Sequence, residues 1–328
     1  MASLIRAGLA ALVAAVSLAA CGSGGDGAAA AKSGPTRTVR HEAGTTEVPA
    51  TPKRIVSTSV TMTGQLLALG ASVVSSQATP PGGPITDADG FFTQWSGVAK
   101  ERGVQVLYQG YEPDIEKVIA AKPDLIVGSA SGADSSAKVY DQLKAVAPTV
   151  LFRHDNVTWQ ELSTKLGQAL GLEANAAKVI AGYDERVTEV KGKIKLPDED
   201  VVVLRDNNTD IPVFTEASAQ GGLLTALGFK LHAVDAALAA ESSKEGGGRK
   251  DIVNLAQENV IKAFGDSSIF FAGHSAQQIA ATEAKALWKD LPAVTGKRVY
   301  DLGVDAFRID YYSASNILDR IERQFSDA

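Results

Sequence analysis

The sequence predicts an α/β fold: two similar lobes with central, mostly parallel sheets, joined by one long helix, with a ligand cleft between the lobes. Three observations carry that expectation. First, short β-rich runs alternate with helical patterns from about residue 54 onward. They are RIVSTS (54–59), SVVSSQ (72–77), DLIVGS (124–129), TVLFRH (149–154), VVVLRD (201–206), PVFTEA (212–217), FKLHAV (229–234), SIFFAG (268–273) and RVYDLG (298–303). Most are continuous apolar runs, as strands covered on both faces require, and their alternation with helices points to the α/β class. Second, the order of elements repeats once. QLLALGASVV (65–74) parallels GLLTALGFKL (222–231), and IEKVIAAKPDLIVGSASG (115–132) parallels ENVIKAFGDSSIFFAGHS (258–275). An offset of roughly 145–157 residues indicates two lobes rather than a short-period solenoid. Third, Ile180, Tyr183, Val187, Val190 and Ile194 recur at helical spacing within Glu173–Lys195. That is one apolar stripe on a helix of about 33 Å, stopped by Pro197, which cannot continue it. A stiff connector leaves one cleft, with the carboxyl ends of the strands facing it.

The 328 residues divide by composition. Residues 1–20 hold one early cation, Arg6, and an apolar run from Ala7 to Ala20 that is too short to span a bilayer, so they read as an export signal. The LAAC stretch before the chain's single cysteine, Cys21, resembles a bacterial lipobox. Cys21 is then the acylated N-terminus of the mature protein, the plainer reading being an accidental cysteine. Residues 21–36, rich in Gly, Ala and Ser, read as a disordered tether with a reach of about 20 Å. The N-terminal lobe is expected over 37–172, the bridging helix over 173–195 and the C-terminal lobe over 196–328. Such a body works at the outer face of the plasma membrane or in the periplasm, attached by lipid alone. Without the signal the chain has 38 acidic and 31 basic side chains. No cationic run suggests nucleic acid, and a monomer is expected.

Enzyme readings fare poorly. FFAGHSAQQIA (270–280) resembles a nucleophile elbow with Ser275 as nucleophile, but Gln277 stands where that motif needs Gly, and His274 is the last histidine. His41, His154, His232 and His274 are scattered without metal-ligand spacing. The EGGGRK loop (245–250) follows no strand and is no P-loop. No catalytic residue, metal site or cofactor is expected.

Strand ends are more informative. Arg153 ends the last N-lobe strand, Arg205 ends the first C-lobe strand, Phe214 precedes a turn, and Arg308 follows the last strand in AFRIDYYSAS (306–315). Any one of these arginines reads first as a solvated loop cation, but several converging on one cleft suit a large anion, and a nearby aromatic face suits a flat ligand. Arg249, Tyr311 and Trp95 complete the candidate ligand set.

The segments PKRIVSTSVTMTGQLLALGA, QWSGVAKERG, YDQLKAVAPTV, TEASAQGGLL, LPAVTGKRVYDLG and FRIDYYSASNILDRI make the chain, from about Arg37 to its end, similar to the helical-linker (class III, cluster A-II) siderophore-binding proteins of ABC transporters. The resemblance implies two α/β lobes with little closure. It also implies capture of a ferric siderophore of the catecholate, enterobactin type and delivery to the permease of an ABC importer. Arg308 matches the family's ligand-contacting arginine, and Phe214 stands where a stacking Trp is found. The loop PPGGPITDADGFFTQW (80–95) has Pro84 and Thr93 but no cation, so Arg153 and Arg205 are expected to supply the missing charge. Glu258, with Asp134 or Glu116 on the other lobe, matches the acidic residues that meet the permease. Rival ligands are haem, held by Tyr311, Tyr312 or His154, and hydroxamate siderophores.

Overall fold

The computed structural model describes residues 34–240 and 250–326. The expected signal, Cys21, most of the tether and Arg249 lie outside the described residues. An antiparallel hairpin, β1 (Thr36–His41) and β2 (Gly44–Pro49), comes first. The N-lobe sheet follows: β3 (Ile55–Ser57), β4 (Val73–Ala78), β5 (Gln105–Gln109), β6 (Leu125–Ser129) and β7 (Thr149–Phe152), all parallel, in the order β5-β4-β3-β6-β7. The C-lobe sheet holds β8 (Val201–Leu204), β9 (Asp210–Phe214), β10 (Ile252–Ala256), β11 (Ser268–Ala272) and β12 (Val299–Gly303), in the order β10-β9-β8-β11-β12. There β8, β11 and β12 run parallel, while β9 is antiparallel to both neighbours.

The helices are α1 (Val60–Ala68), α2 (Thr93–Glu101), α3 (Ile115–Ala120), α4 (Tyr140–Val146), α5 (Trp159–Leu170), α6 (Glu173–Lys193), α7 (Ala219–Leu227), α8 (Val260–Phe264), α9 (Ala276–Glu283), α10 (Pro292–Thr295) and α11 (Tyr311–Phe325). The strands β3, β6, β7, β8 and β11 are buried throughout, which is why they read as unbroken apolar runs.

The repeat is real but imperfect. In the N-lobe, α1 ends at Ala68, and Gly70 (φ +75°) turns the chain toward β4. In the C-lobe, α7 ends at Gly228 (φ +103°), but FKLHAV forms no strand; Leu231 makes only a single parallel bridge to Val201. The β8–β9 hairpin takes the sheet position beside β8 that a parallel strand from FKLHAV would need, so a strand expected at 229–234 is absent. Three elements had no sequence signal. The β1–β2 hairpin is largely polar, β5 buries only Leu107 and Tyr108, and β10 sits at the sheet edge with one fully buried residue.

Two helices tie the lobes together. α6 buries Ala176 against the N-lobe core, and Tyr183 and Val190 against the C-lobe core. It ends at Lys193, two residues before the expected boundary. α11 repeats its apolar face at Ala314, Ile317, Leu318, Ile321 and Phe325, all in the C-lobe core. Its first turn spans the seam: Tyr311 packs on the C-lobe cluster and Tyr312 on the N-lobe cluster. Arg186 of α6 pairs with Asp319 (2.8 Å) and Glu322 of α11, so the two connectors are also joined by charge. These shared contacts favour a frame with little hinge freedom.

Candidate functional site

A cleft of about 1200 Å³ opens between the lobes, lined by the loops after the strands and by α6. Its C-lobe wall is built by the short turn Val304–Phe307 that links β12 to α11. Buried Asp305 accepts from Arg320 (2.7 Å) and Asn316 (2.8 Å), and Gln220 of α7 donates to the carbonyls of Ala306 and Phe307 at 2.8 and 3.1 Å. The turn is therefore pinned from two sides. That leaves Phe307 on its crest, 38% exposed, and Arg308 beside it. The Arg308 guanidinium crosses the cleft, donating to Thr61 Oγ1 at 3.2 Å, and lies 5.8 Å from the centre of the Phe92 ring.

Arg205, ending β8, is half-buried with its guanidinium 4.5 Å from the centre of the Phe307 ring. Burial, and then repulsion from Arg308, lower its pKa from the usual arginine value. Neither arginine has a carboxylate partner among the described residues. Two neighbouring cations without counter-ions among the described residues, Arg205 just after β8 and Arg308 just after the pinned turn, form a site for negative charge. Phe214 lines the cleft behind them, edge-on to Phe307 at 6.4 Å. Lys250 adds a further cation, while Asp155, Glu161, Asp184, Glu216 and Asp251 give the lining acidic groups as well.

The other expected residues are distributed differently. Arg153 is engaged in a fork with Asp155, at 3.0 and 2.6 Å, and its side chain does not line the cleft. Trp95 is 1% exposed, packed on Phe91 and Phe92 in the N-lobe core. It is Phe92, one turn earlier, that reaches the cleft. Tyr311 stands edge-on to Trp159 at 5.7 Å, behind the lining rather than in it. Trp159, Phe92 and Phe307 were missed; Phe307 adjoins Arg308 in AFRIDYYSAS, the one signal that could have found it. Trp159 opens α5, edge-on to Tyr183 of α6 at 5.0 Å, and lines the cleft floor.

Asp310 caps α11 by accepting from Ser313 N at 2.8 Å, and Gln94 of the other lobe approaches it at 3.4 Å. Burial pushes its carboxyl pKa up to about 6. Gly64 of α1 permits this approach, since a Cβ there would lie 2.5 Å from Asp310 Oδ2 and 2.8 Å from Trp95.

Asp134 is not a docking residue. It is 2% exposed and accepts from Ser59 Oγ (2.5 Å) and Thr61 N (3.1 Å), holding the start of α1. Glu116, in the first turn of α3, and Glu258, in the turn before α8, are exposed. Ser275 is a helix cap, accepting from Gln278 N, which gives it a structural task in place of the weighed nucleophile role. Of the four histidines only His154 lines the cleft. Among the described residues no group of three or more His, Cys, Asp or Glu is placed to hold a metal.

The profile of the periplasmic binding proteins matches residues 55–306, which span most of both lobes and stop just before Phe307 and Arg308. The chain belongs to that family. A member of the periplasmic binding proteins is a binding protein, not an enzyme, and the two-lobed α/β frame is the fold of the family's solved structures. Among relatives, the ferric enterobactin-binding periplasmic protein FepB of Escherichia coli is 43% identical over 291 residues, 88% of this chain and 91% of that protein. The putative ABC transporter substrate-binding lipoprotein YhfQ of Bacillus subtilis is 29% identical over 301 residues, 88% of each chain. Among structures, holo-ViuP superposes with a TM-score of 0.76 at 33% identity, covering 89% of this chain and 95% of that one.

Proposed function

We propose that this periplasmic binding protein captures a ferric siderophore of the catecholate, enterobactin type in the interlobe cleft and passes it to the permease of an ABC importer. One observation carries the ligand class: Arg308 lines the cleft with Arg205 close by, packed on the Phe307 ring rather than in the lining, both without counter-ions among the described residues and beside the lining rings of Phe307 and Phe214. A ferric tris-catecholate is a flat-ringed trianion whose iron is already fully coordinated, so charge and aromatic faces are what it asks of a protein. The 43% identical relative, named for ferric enterobactin, supports the same assignment. Delivery to an ABC permease is supported by the relative named as an ABC transporter substrate-binding lipoprotein. The exposed Glu258 and Glu116, each at the start of the helix before the equivalent strand of its lobe, suit a two-point contact with a basic partner. Acylation at Cys21 would hold the protein at the outer face of the plasma membrane.

Quenching of tryptophan fluorescence tests the ligand, with Trp159 at the cleft floor as reporter. Ferric catecholates should quench saturably, and ferric hydroxamates and haem should not. A saturable shift of the haem Soret band on adding protein, or preference for a hydroxamate, would sink the assignment. Glu258→Lys should stop iron uptake while leaving ligand affinity unchanged; uptake at the wild-type rate removes the docking role.

A further inference from the structure

The N-lobe wall of the cleft holds a half-buried histidine facing a buried carboxylate, a pair that the contacts above leave idle. His154 follows β7 and lines the cleft. Its Nε2 is buried without a hydrogen-bond partner and faces Asp134 Oδ1, which is also buried and unpartnered, at 3.9 Å. The other Asp134 oxygen is committed to Ser59 and Thr61, which fixes the carboxylate behind the ring. The backbone closes tightly around the pair. At Gly132 (φ +80°) a Cβ would lie 3.0 Å from His154 Nε2 and 3.3 Å from Asp134 Oδ1. Two facing polar atoms without partners are costly in a buried setting. A shift of about 1 Å turns 3.9 Å into a hydrogen bond from Nε2–H to the carboxylate. With Nε2 so used, Nδ1 is the nitrogen left for a ligand, and it donates only when the ring is protonated.

We propose that His154, backed by Asp134, is the N-lobe contact for the anionic ligand: an imidazolium that supplies the charge missing from the 80–95 loop, so that binding takes up one proton from solvent. The proposal rests on the reading that the cleft receives a polyanionic chelate. The charged surroundings are consistent with it. On its own loop, the Arg153–Asp155 pair is internally neutral. From the loop after β6 comes Asp134. From β5 comes Tyr108, whose hydroxyl donates to the Thr58 carbonyl and is pushed up by burial and then by Asp134. On α5, Glu161 is occupied in the capping box with Thr158. Across the cleft stand Arg308 and Asp310.

The test is calorimetry of wild type and His154→Gln with ferric enterobactin, from pH 6 to 8, in buffers of different ionisation enthalpy. The ligand's own protonation cancels in the comparison. Wild type should take up close to one proton at the upper end and lose roughly tenfold more affinity across the range than the variant. His232→Gln should match wild type. Equal pH dependence in wild type and His154→Gln overturns this proposal while leaving the ligand assignment standing; failure of wild type to bind any ferric catecholate overturns both. NMR titration of the unliganded protein gives an independent reading, in which Asp134→Asn must lower the His154 midpoint. An unchanged midpoint, or an iron charge-transfer band that shifts on binding only when His154 is present, also overturns it, the latter by replacing the contact with iron ligation.

Discussion

At the end of β7 in the N-lobe, Arg153 is held in a two-bond fork by Asp155; at the end of β8 in the C-lobe, Arg205 sits over the ring of Phe307 with no such partner. Both are strand-end arginines beside the same cleft, and their sequence contexts, VLFRHD and VVLRDN, look alike. The aspartate that follows Arg205 is turned away. Asp206 is buried and accepts from Lys285, Thr282 and Gln257, and its carboxyl stays below the ordinary range because those donors outweigh the desolvation that would raise it. The difference is therefore not where the cation sits but whether the nearest carboxylate is already employed. A paired guanidinium has spent much of its charge; an unpaired one is available to a ligand.

The comparison is broken most directly at Arg308, the shared centre of the C-lobe wall. Arg308→Ala removes a part-buried cation and its donor fork, and should weaken ferric catecholate binding by about 100-fold, or roughly 3 kcal/mol. Titration by fluorescence reads this directly. A loss under about fivefold would mean that the C-lobe wall is not where the anion's charge is met.

The second test concerns the seam that holds the walls apart. The Asp310 carboxyl is raised in the folded protein to about 6 from 3.8, so the folded state holds its proton longer than the unfolded chain. Its contribution is fully present below the unfolded value and is lost as pH rises through 6. Asp310→Asn keeps a capping side chain without the titration. In urea unfolding, the variant should gain on wild type by on the order of 2–3 kcal/mol between pH 4 and pH 7. Parallel stability curves would mean that Asp310 ionises at little cost within the seam.

Much of this frame was legible because burial on both faces writes itself as unbroken apolar runs, as in VVVL of β8 and SIFFA of β11. The stripe on α6 was legible for the same reason. What escaped was set by competition between segments. FKLHAV has strand composition, but a neighbouring hairpin occupies its sheet position, and local pattern carries no record of that. At the site, Arg308 could be placed from its resemblance to a known segment and from its strand-end position. The burial of Trp95 and Asp134 could not, because it depends on how α1, α2 and the loop after β6 meet. The Arg153–Asp155 fork is legible in the sequence, because the two residues are only two positions apart, and it outweighs the strand-end position of Arg153.

Arg205 and Arg153 together sharpen the point. Arg205→Ala should weaken binding about tenfold, since one unpaired, half-buried cation leaves while Arg308 stays. Because Arg205 and Arg308 repel each other in the empty cleft, the double variant should lose less than the product of the two single losses. A fully additive result would show that the two cations do not act on the same ligand group.

The smallest effect is expected at Arg153. Its fork to Asp155 has both side chains 41% exposed, so the pair itself contributes about 0–1 kcal/mol to stability. Arg153→Ala alone frees Asp155, which lines the cleft, and the uncovered carboxylate would repel an anion. A modest loss in that variant therefore does not distinguish a ligand contact from an exposed Asp155. The double variant Arg153→Ala/Asp155→Ala makes the distinction, because it removes both charges and leaves the net balance of the wall unchanged. Its affinity should stay within about threefold of wild type. If it instead falls as far as Arg205→Ala, the Asp155 fork opens when ligand arrives, and the two strand ends are equivalent after all.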